Sequence, residues 1–300
     1  MRTLLLAAAL CMALTPSFSA PGKFRKGTLP AQLRSDLRDA TKLVRWAKRY
    51  VVKIKPLQMT NVSKPQADLR NAFARLHMGV RDQGSRGTCS IFAVMTCLQF
   101  VMAEKLHFAH GDFSPEYLNY VKNLANGMST DGGFFSEIDK GYTDDSIYLE
   151  AKVPYKASFD PSYVVPPSFI SAARKWPRLH SDFVKDWDNT KGATDDEVND
   201  ACAYLDDSIP IASGMLWPVD GAFKTTMIQG VDMMVTPQRS DVEDGHSIVL
   251  VGYKRSASFP GSGYFIFRNS WGTGFGDGGY GFMPFKYVKS YCNDMVVYKP

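Results

Sequence analysis

Cysteine is scarce: five in 300 residues, too few for a disulfide-built scaffold. His is equally sparse, with five copies, and no pair or triplet of His and Cys falls at a metal-ligand spacing. No stretch reaches the 18 consecutive apolar residues of a membrane span. Gly (24) and Pro (17) are too few and too scattered for a collagen-like or low-complexity chain. With 45% hydrophobic and 22% charged residues, the composition is that of a globular protein. It has ample material for a core without covalent staples.

The N-terminus reads as a signal peptide over 1–19. Arg2 supplies the positive start, and Leu4–Leu14 is an unbroken apolar run. Ser17 and Ser19 are the small residues two apart that precede cleavage. Leu10 before Cys11 is too large for a lipoprotein site. The run is too short to span a bilayer, so the expectation is an exported, soluble protein in a secreted, periplasmic or lysosome-like compartment.

Charge is divided along the chain. Residues 20–66 carry twelve Lys and Arg against two acids, Asp36 and Asp39, whereas 67–300 carry a net negative charge. Leu33, Leu37, Ala40, Val44, Ala47 and Val51 recur at helical spacing, which predicts a basic amphipathic helix roughly over 31–54. Pro30 suits its start, Pro56 stops it, and 63–66 read as a linker. Such a helix can lie on an anionic membrane or bind nucleic acid. The opposite charges within one chain favour a third reading, a prosegment docked on its own acidic body.

The body holds three chemically suggestive segments. In Arg81-Asp-Gln-Gly-Ser-Arg-Gly-Thr-Cys89, a Gly-bearing loop leads into a nearly all-apolar helix running from Cys89 to about Lys105. A Cys at a helix N-terminus gains thiolate character from the free amides and the dipole, although a small core residue is the commoner role for a lone Cys. His246 opens the β-forming run Ser247–Tyr253 and is expected at a strand start. Asn269 closes the strand Tyr264–Arg268 and precedes a Gly-rich loop. A Cys, a His and an Asn in that order form a nucleophile, base and orienter set. His77, His107, His110 and His180 have no partner pattern and are expected at the surface.

These segments resemble the papain-like cysteine peptidases. Gln83-Gly-Ser-Arg-Gly-Thr-Cys89 resembles the family's Gln-Gly-x-Cys-Gly-Ser-Cys nucleophile loop with the same spacing. Gly245-His246-Ser247 resembles its His strand, Asn269-Ser-Trp271-Gly its Asn motif, and Phe113–Leu118 the start of its next helix. Asp131-Gly132-Gly133 resembles its substrate edge, and Val153-Pro-Tyr155 its Tyr-Pro-Tyr region. The match covers about 67–300. Arg86 stands where the family has a disulfide Cys, Ser90 where it has a Trp after the nucleophile, and Phe275 where it has a second loop Trp. The segment 20–66 shows no match to the family's common inhibitory-helix pattern.

The resemblance implies a two-lobed α+β fold, with a helical lobe beginning at Cys89, a β-rich lobe carrying His246 and Asn269, and a cleft between them. It implies a thiol-dependent peptidase acting on a peptide or protein substrate, with no cofactor or metal expected; that the protein is made as a zymogen is expected from the charge and position of 20–66 alone. Cys89 is then the nucleophile, a thiolate held by His246 as an ion pair, with His246 also the proton carrier, Asn269 the orienter and Trp271 the shield of the His–Asn bond. Gln83 and the Cys89 amide are the oxyanion donors, one such donor contributing roughly 3–4 kcal/mol. Gly132 and Gly133 pair with an extended substrate, and Phe134 and Phe135 are candidate walls of an apolar pocket, with ordinary core as the other reading. Cys202 and Cys292 are a candidate disulfide, and Cys97 a free core thiol. A silent binding protein on the same fold, and an exopeptidase or transpeptidase with a cleft-blocking loop in 156–200 near Trp176 or Trp187, are the rivals.

Overall fold

The computed structural model describes residues 64–300. The expected signal peptide 1–19, the helix over 31–54 and all of 20–66 except 64–66 lie outside the described residues.

The chain enters on β1 (Gln66–Asp68), so the expected boundary at 66/67 falls inside a strand. The short α1 (Arg70–Arg75) leads to α2 (Cys89–Leu106), which ends within a residue of its expected limit. Every residue of α2 from Cys89 to Ala103 is buried, which is why its sequence is apolar on all sides. By length and hydropathy α2 matches a membrane span, but here its apolar surface is covered by protein. Against it pack α3 (Pro115–Asn126) and α4 (Phe135–Asp145). Ser114 caps α3 by accepting from the Tyr117 amide at 2.9 Å, Pro115 occupies its first position, and Gly127 closes it at φ +63°. This is the usual N-terminal Pro, C-terminal Gly arrangement. The short α5 (Pro167–Ala173) completes the helical side.

The remaining strands join one large sheet. They are β2 (His180–Lys185), β3 (Ile211–Pro218), β4 (Thr225–Ile228), β5 (Val231–Met234), β6 (Val242–Arg255), β7 (Gly263–Arg268), β8 (Tyr280–Pro284) and β9 (Cys292–Lys299). The spatial order is β2-β9-β3-β6-β7-β8-β5-β4, with β1 alongside β6. All pairings are antiparallel except β5 with β8. Two helices border the sheet, α6 (Asp195–Asp206), closed by a Thr194–Glu197 capping box, and α7 (Phe285–Tyr291). Helices on one side and an antiparallel sheet on the other give the expected α+β class, and α2 also packs against β3, β6 and β9.

The candidate disulfide is corrected. Cys97, Cys202 and Cys292 are all buried free thiols. Cys292 Sγ lies against Ser213 Oγ at 3.4 Å and the Asp294 carbonyl at 3.5 Å, while Cys202 sits beside Arg255. Burial pushes both thiols up to about 12, so neither is a thiolate able to exchange. Denaturing the protein without reductant and alkylating it should therefore modify Cys97, Cys202 and Cys292 in peptide mapping. A Cys202–Cys292 cross-linked peptide would refute this assignment.

Candidate active site

The loop before α2 is fastened on two sides. Toward the sheet, the Gln83 amide donates to the Ser270 carbonyl at 2.8 Å, Asp82 forms a β-bridge with Trp271, and the Gly272 amide reaches the Arg81 carbonyl at 3.1 Å. These links lay the loop that leads to Cys89 alongside the Asn269–Gly272 segment. Gly84, at φ +63°, turns the chain between them, its amide capped by Asp82 Oδ1 at 2.8 Å. The Gln83 side chain is buried and locked: Oε1 accepts from Ser270 Oγ at 2.5 Å, and Nε2 donates to the Arg86 carbonyl at 2.8 Å. One Nε2 hydrogen is left over.

Toward the helices, the fastening is ionic. The buried Arg86 guanidinium holds Asp131 through Nε at 2.9 Å and Nη2 at 2.6 Å, and Glu116 through Nη1 at 2.5 Å. Nη1 also donates to the Lys156 carbonyl at 2.9 Å, and the guanidinium lies 4.6 Å from the Tyr155 ring centre. Burial works against the charge of Arg86, but its hydrogen bonds to Asp131 and Glu116 outweigh this and raise its pKa. A residue that cannot form the family's disulfide thus ties the nucleophile loop to the segment leading into Gly132 and Gly133. Below it, the Lys122 amine donates to Thr130 O and Oγ1, and burial pushes it down to about 8.

Three expected residues meet at the sheet. Cys89 lies at the first position of α2 and is 9% exposed. His246 is not at a strand start, because β6 begins at Val242. It follows an irregularity in the β3–β6 pairing, in which Met215 faces His246 and Leu216 faces Asp244, leaving Gly245 between them at φ +120°. The Cys89 thiol donates to the Gly245 carbonyl at 3.5 Å, which places it one residue from His246. Asn269, at the end of β7, receives the Ser270 amide on Oδ1 at 2.8 Å. That bond identifies Oδ1 as an acceptor, so His246 Nε2, 2.9 Å away, carries the proton and donates. In the neutral ring Nδ1 is therefore the basic nitrogen.

Aromatic rings enclose the imidazole. Trp271 stacks on it at 4.5 Å and 29°, and Trp217 of β3 meets it edge-on at 4.6 Å. Trp271 is 38% exposed and forms the outer cover, and Phe275 supports it at 5.5 Å, so the family's second Trp is replaced by another ring in contact. Sequence reasoning missed Trp217. Its neighbours in sequence form an ordinary apolar strand, and only the β3–β6 pairing brings it to His246. The enclosure has an electrostatic consequence: burial pushes His246 down to about 4, with the Asn269 bond drawing it partly back. Burial likewise raises Cys89, although amides including those of Ser247 and Ser90 favour its thiolate. The helix-terminus effect is present but outweighed: against the expected thiolate–imidazolium pair, burial disfavours the charged form of each group.

The expected substrate residues divide. Gly133 is exposed and Gly132 is buried, packed so closely on the Gly87 carbonyl that no side chain fits there. Phe134 is half-buried with Trp187 at 5.2 Å, which places the segment around Trp187 beside the edge. Phe135 is corrected: at 2% exposure it belongs to the core, because it starts α4 on the face turned inward. Trp176 packs among Phe108, Phe113 and Tyr148. The other four His residues are exposed as expected, and no metal-binding cluster occurs among the described residues.

Two outcomes follow from these buried groups. Replacing Arg86 by Met leaves Glu116 and Asp131 without their counter-charge, which should cost about 3–5 kcal/mol in urea denaturation. A loss within experimental error would show the ionic fastening to be dispensable. For His246, the unfolded ring titrates near ~6.5. Above that pH it is neutral in both states and costs nothing. As pH falls toward about 4, the unfolded chain takes up a proton that the fold refuses. Stability relative to His246→Gln should therefore drop by up to about 3 kcal/mol across that window. Parallel stability–pH curves for the two proteins would contradict the buried neutral ring.

Comparison with known proteins agrees with this geometry. The profile of the papain family cysteine proteases matches residues 64–298. A cysteine protease of Blomia tropicalis is 39% identical over 59 residues, 20% of this chain and 17% of that protein. An uncharacterized peptidase C1-like protein of Acanthamoeba polyphaga mimivirus is 26% identical over 217 residues, covering 69% of this chain and 64% of the relative. The chain thus spans less than two thirds of the length of either relative. Among solved structures, xylellain, a cysteine protease from Xylella fastidiosa, superposes with a TM-score of 0.63 at 20% identity, covering 79% of this chain and 87% of that one. With the profile matched over most of its length, the chain belongs to the papain family of cysteine proteases.

Proposed function

We propose that this chain hydrolyses peptide bonds through a Cys89 thioester intermediate, with His246 as proton carrier, Asn269 as its orienter and Gln83 as an oxyanion donor. The observation that carries this reading is the pairing of His246 Nε2–H with an Asn269 oxygen already fixed by the Ser270 amide. It leaves Nδ1 unprotonated in the ring next to the residue whose carbonyl holds the Cys89 thiol.

In this reading the resting pair is neutral. The thiol proton passes to Nδ1 as the substrate carbonyl arrives, and the thiolate sulfur adds to that carbon. The resulting imidazolium protonates the leaving amine, and the ring then takes a proton from the water that cleaves the thioester. The free Nε2 hydrogen of Gln83 and the Cys89 amide receive the negative oxygen, and the carbonyl of exposed Gly133 pairs with an extended peptide. Trp271 keeps water from the His246–Asn269 bond.

The leader belongs to the same proposal. Residues 1–19 direct export, and the basic segment 20–66 covers the cleft of the acidic body until it is removed. At its described end, the Lys64 backbone N–H donates to Asp206 Oδ2 at 2.9 Å and its amine to the Asp206 carbonyl at 3.1 Å. These two bonds fasten the end of the leader to the last residue of α6.

Intact mass after incubation with an epoxysuccinyl thiol-protease inhibitor tests the proposal on the full chain, before and after limited proteolysis of its leader. One adduct on Cys89 after leader removal is expected, with none in Cys89→Ala. Hydrolysis of a peptide substrate should fall about 100-fold in Asn269→Ala through lost orientation of the base. Labelling before leader removal would overturn the zymogen. No labelling of a folded, trimmed chain would point instead to a silent binding protein.

A further inference from the structure

Successive amides at the paired glycines are drawn inward by side chains from three different elements. The Gly132 N–H donates to Asn119 Oδ1 at 3.2 Å, and the Gly133 N–H donates to Ser90 Oγ at 3.2 Å. The Phe134 N–H donates to Glu137 Oε2 at 3.0 Å. No peptide bond here is cis, and in a trans peptide the carbonyl points away from its own N–H. The Gly133 carbonyl shares its peptide group with the Phe134 N–H, so it is directed away from Glu137. No hydrogen bond among the described residues uses that carbonyl. A Cβ at Gly133 would lie 2.6 Å from Glu137 Oε2, and the backbone there is at φ +149°, so the position is closed to side chains.

An extended chain ordinarily offers both N–H and C=O to a strand laid beside it. Here the exposed Gly133 has its donor taken by Ser90, the residue immediately after the nucleophile, and keeps only its acceptor. We propose that Ser90 is a specificity-determining residue that makes the Gly133 edge acceptor-only. The peptidase then selects substrates through the backbone N–H of the residue second upstream of the cut and takes nothing from that residue's carbonyl. The inference rests on the proposed role of Gly133 as substrate edge. It also gives a function to Ser90, the small polar residue that stands where the family has a Trp, since a hydroxyl there reaches the Gly133 amide.

The test compares kcat/KM for a blocked dipeptide anilide with two analogues, using the full chain after limited proteolysis of its leader. One analogue is N-methylated at the second residue upstream, and the other carries a thioamide in place of that residue's carbonyl. In the wild type, N-methylation should lower kcat/KM by about tenfold or more, because the Gly133 carbonyl is left unpaired. The thioamide should change it by less than about twofold, since no donor reads that carbonyl. Ser90→Ala frees the Gly133 N–H. The thioamide should then cost about fivefold while the N-methyl penalty stays. Ser90→Thr, which keeps the hydroxyl, should retain the wild-type pattern. A thioamide penalty already present in the wild type, or unchanged by Ser90→Ala, overturns the role of Ser90. An N-methyl analogue cleaved as fast as its parent in the wild type overturns the substrate-edge reading itself. The removal of one oxygen leaves the packing around Ser90 in place, and an unchanged melting temperature separates the readout from misfolding.

Discussion

The site depends on the double fastening of residues 82–89. On one flank, backbone bonds from Gln83 and Gly272 set this loop beside Asn269. On the other, Arg86 grips Asp131 and Glu116. The backbone links fix the distance between the nucleophile loop and the imidazole partner, and the guanidinium fixes the same loop to the glycine edge. A bidentate ion pair in a buried setting resists rotation as well as separation, which suits a loop that must keep its orientation. Because Tyr155 also joins the Gln83 carbonyl to Thr88 through its hydroxyl, the loop is braced along its length.

Within that frame, the catalytic candidates are governed by desolvation. Helix α2 is buried from its first residue, so the amides that would favour a thiolate act where charge is expensive. The rings of Trp217 and Trp271 do the same to His246. Burial on both sides thus disfavours the charged form of each group.

Much of this arrangement was legible in the sequence where local chemistry decides. The change from Gly-rich loop to all-apolar run located Cys89 and the end of α2 to within a residue. The resemblance of Phe113–Leu118 to the family's next helix marked a helix start, and the motif order pointed to Cys89, His246 and Asn269 as one set. Other features were illegible because they arise only when distant segments meet. His246 read as a strand start, whereas Gly245 before it is an irregularity inside a strand, so His246 lies within β6. Phe135 read as a candidate pocket wall because it follows the paired glycines, but helical phase turns it inward. Cys202 and Cys292 gave no sign of their separate surroundings. Arg86 read as a missing cysteine, and its carboxylate partners lie 30 and 45 residues away.

The ionic grip of Arg86 also bears on working conditions. A thiol enzyme is kept competent by surroundings that hold its sulfur reduced, and the same surroundings attack structural S–S bonds. In the described part of this chain every cysteine is free, and the loop that carries the nucleophile is held by charge. An electron donor strong enough to restore an oxidised Cys89 would find no cross-link there to open. The described part of the protein can therefore meet a reductant without loosening the architecture around Cys89.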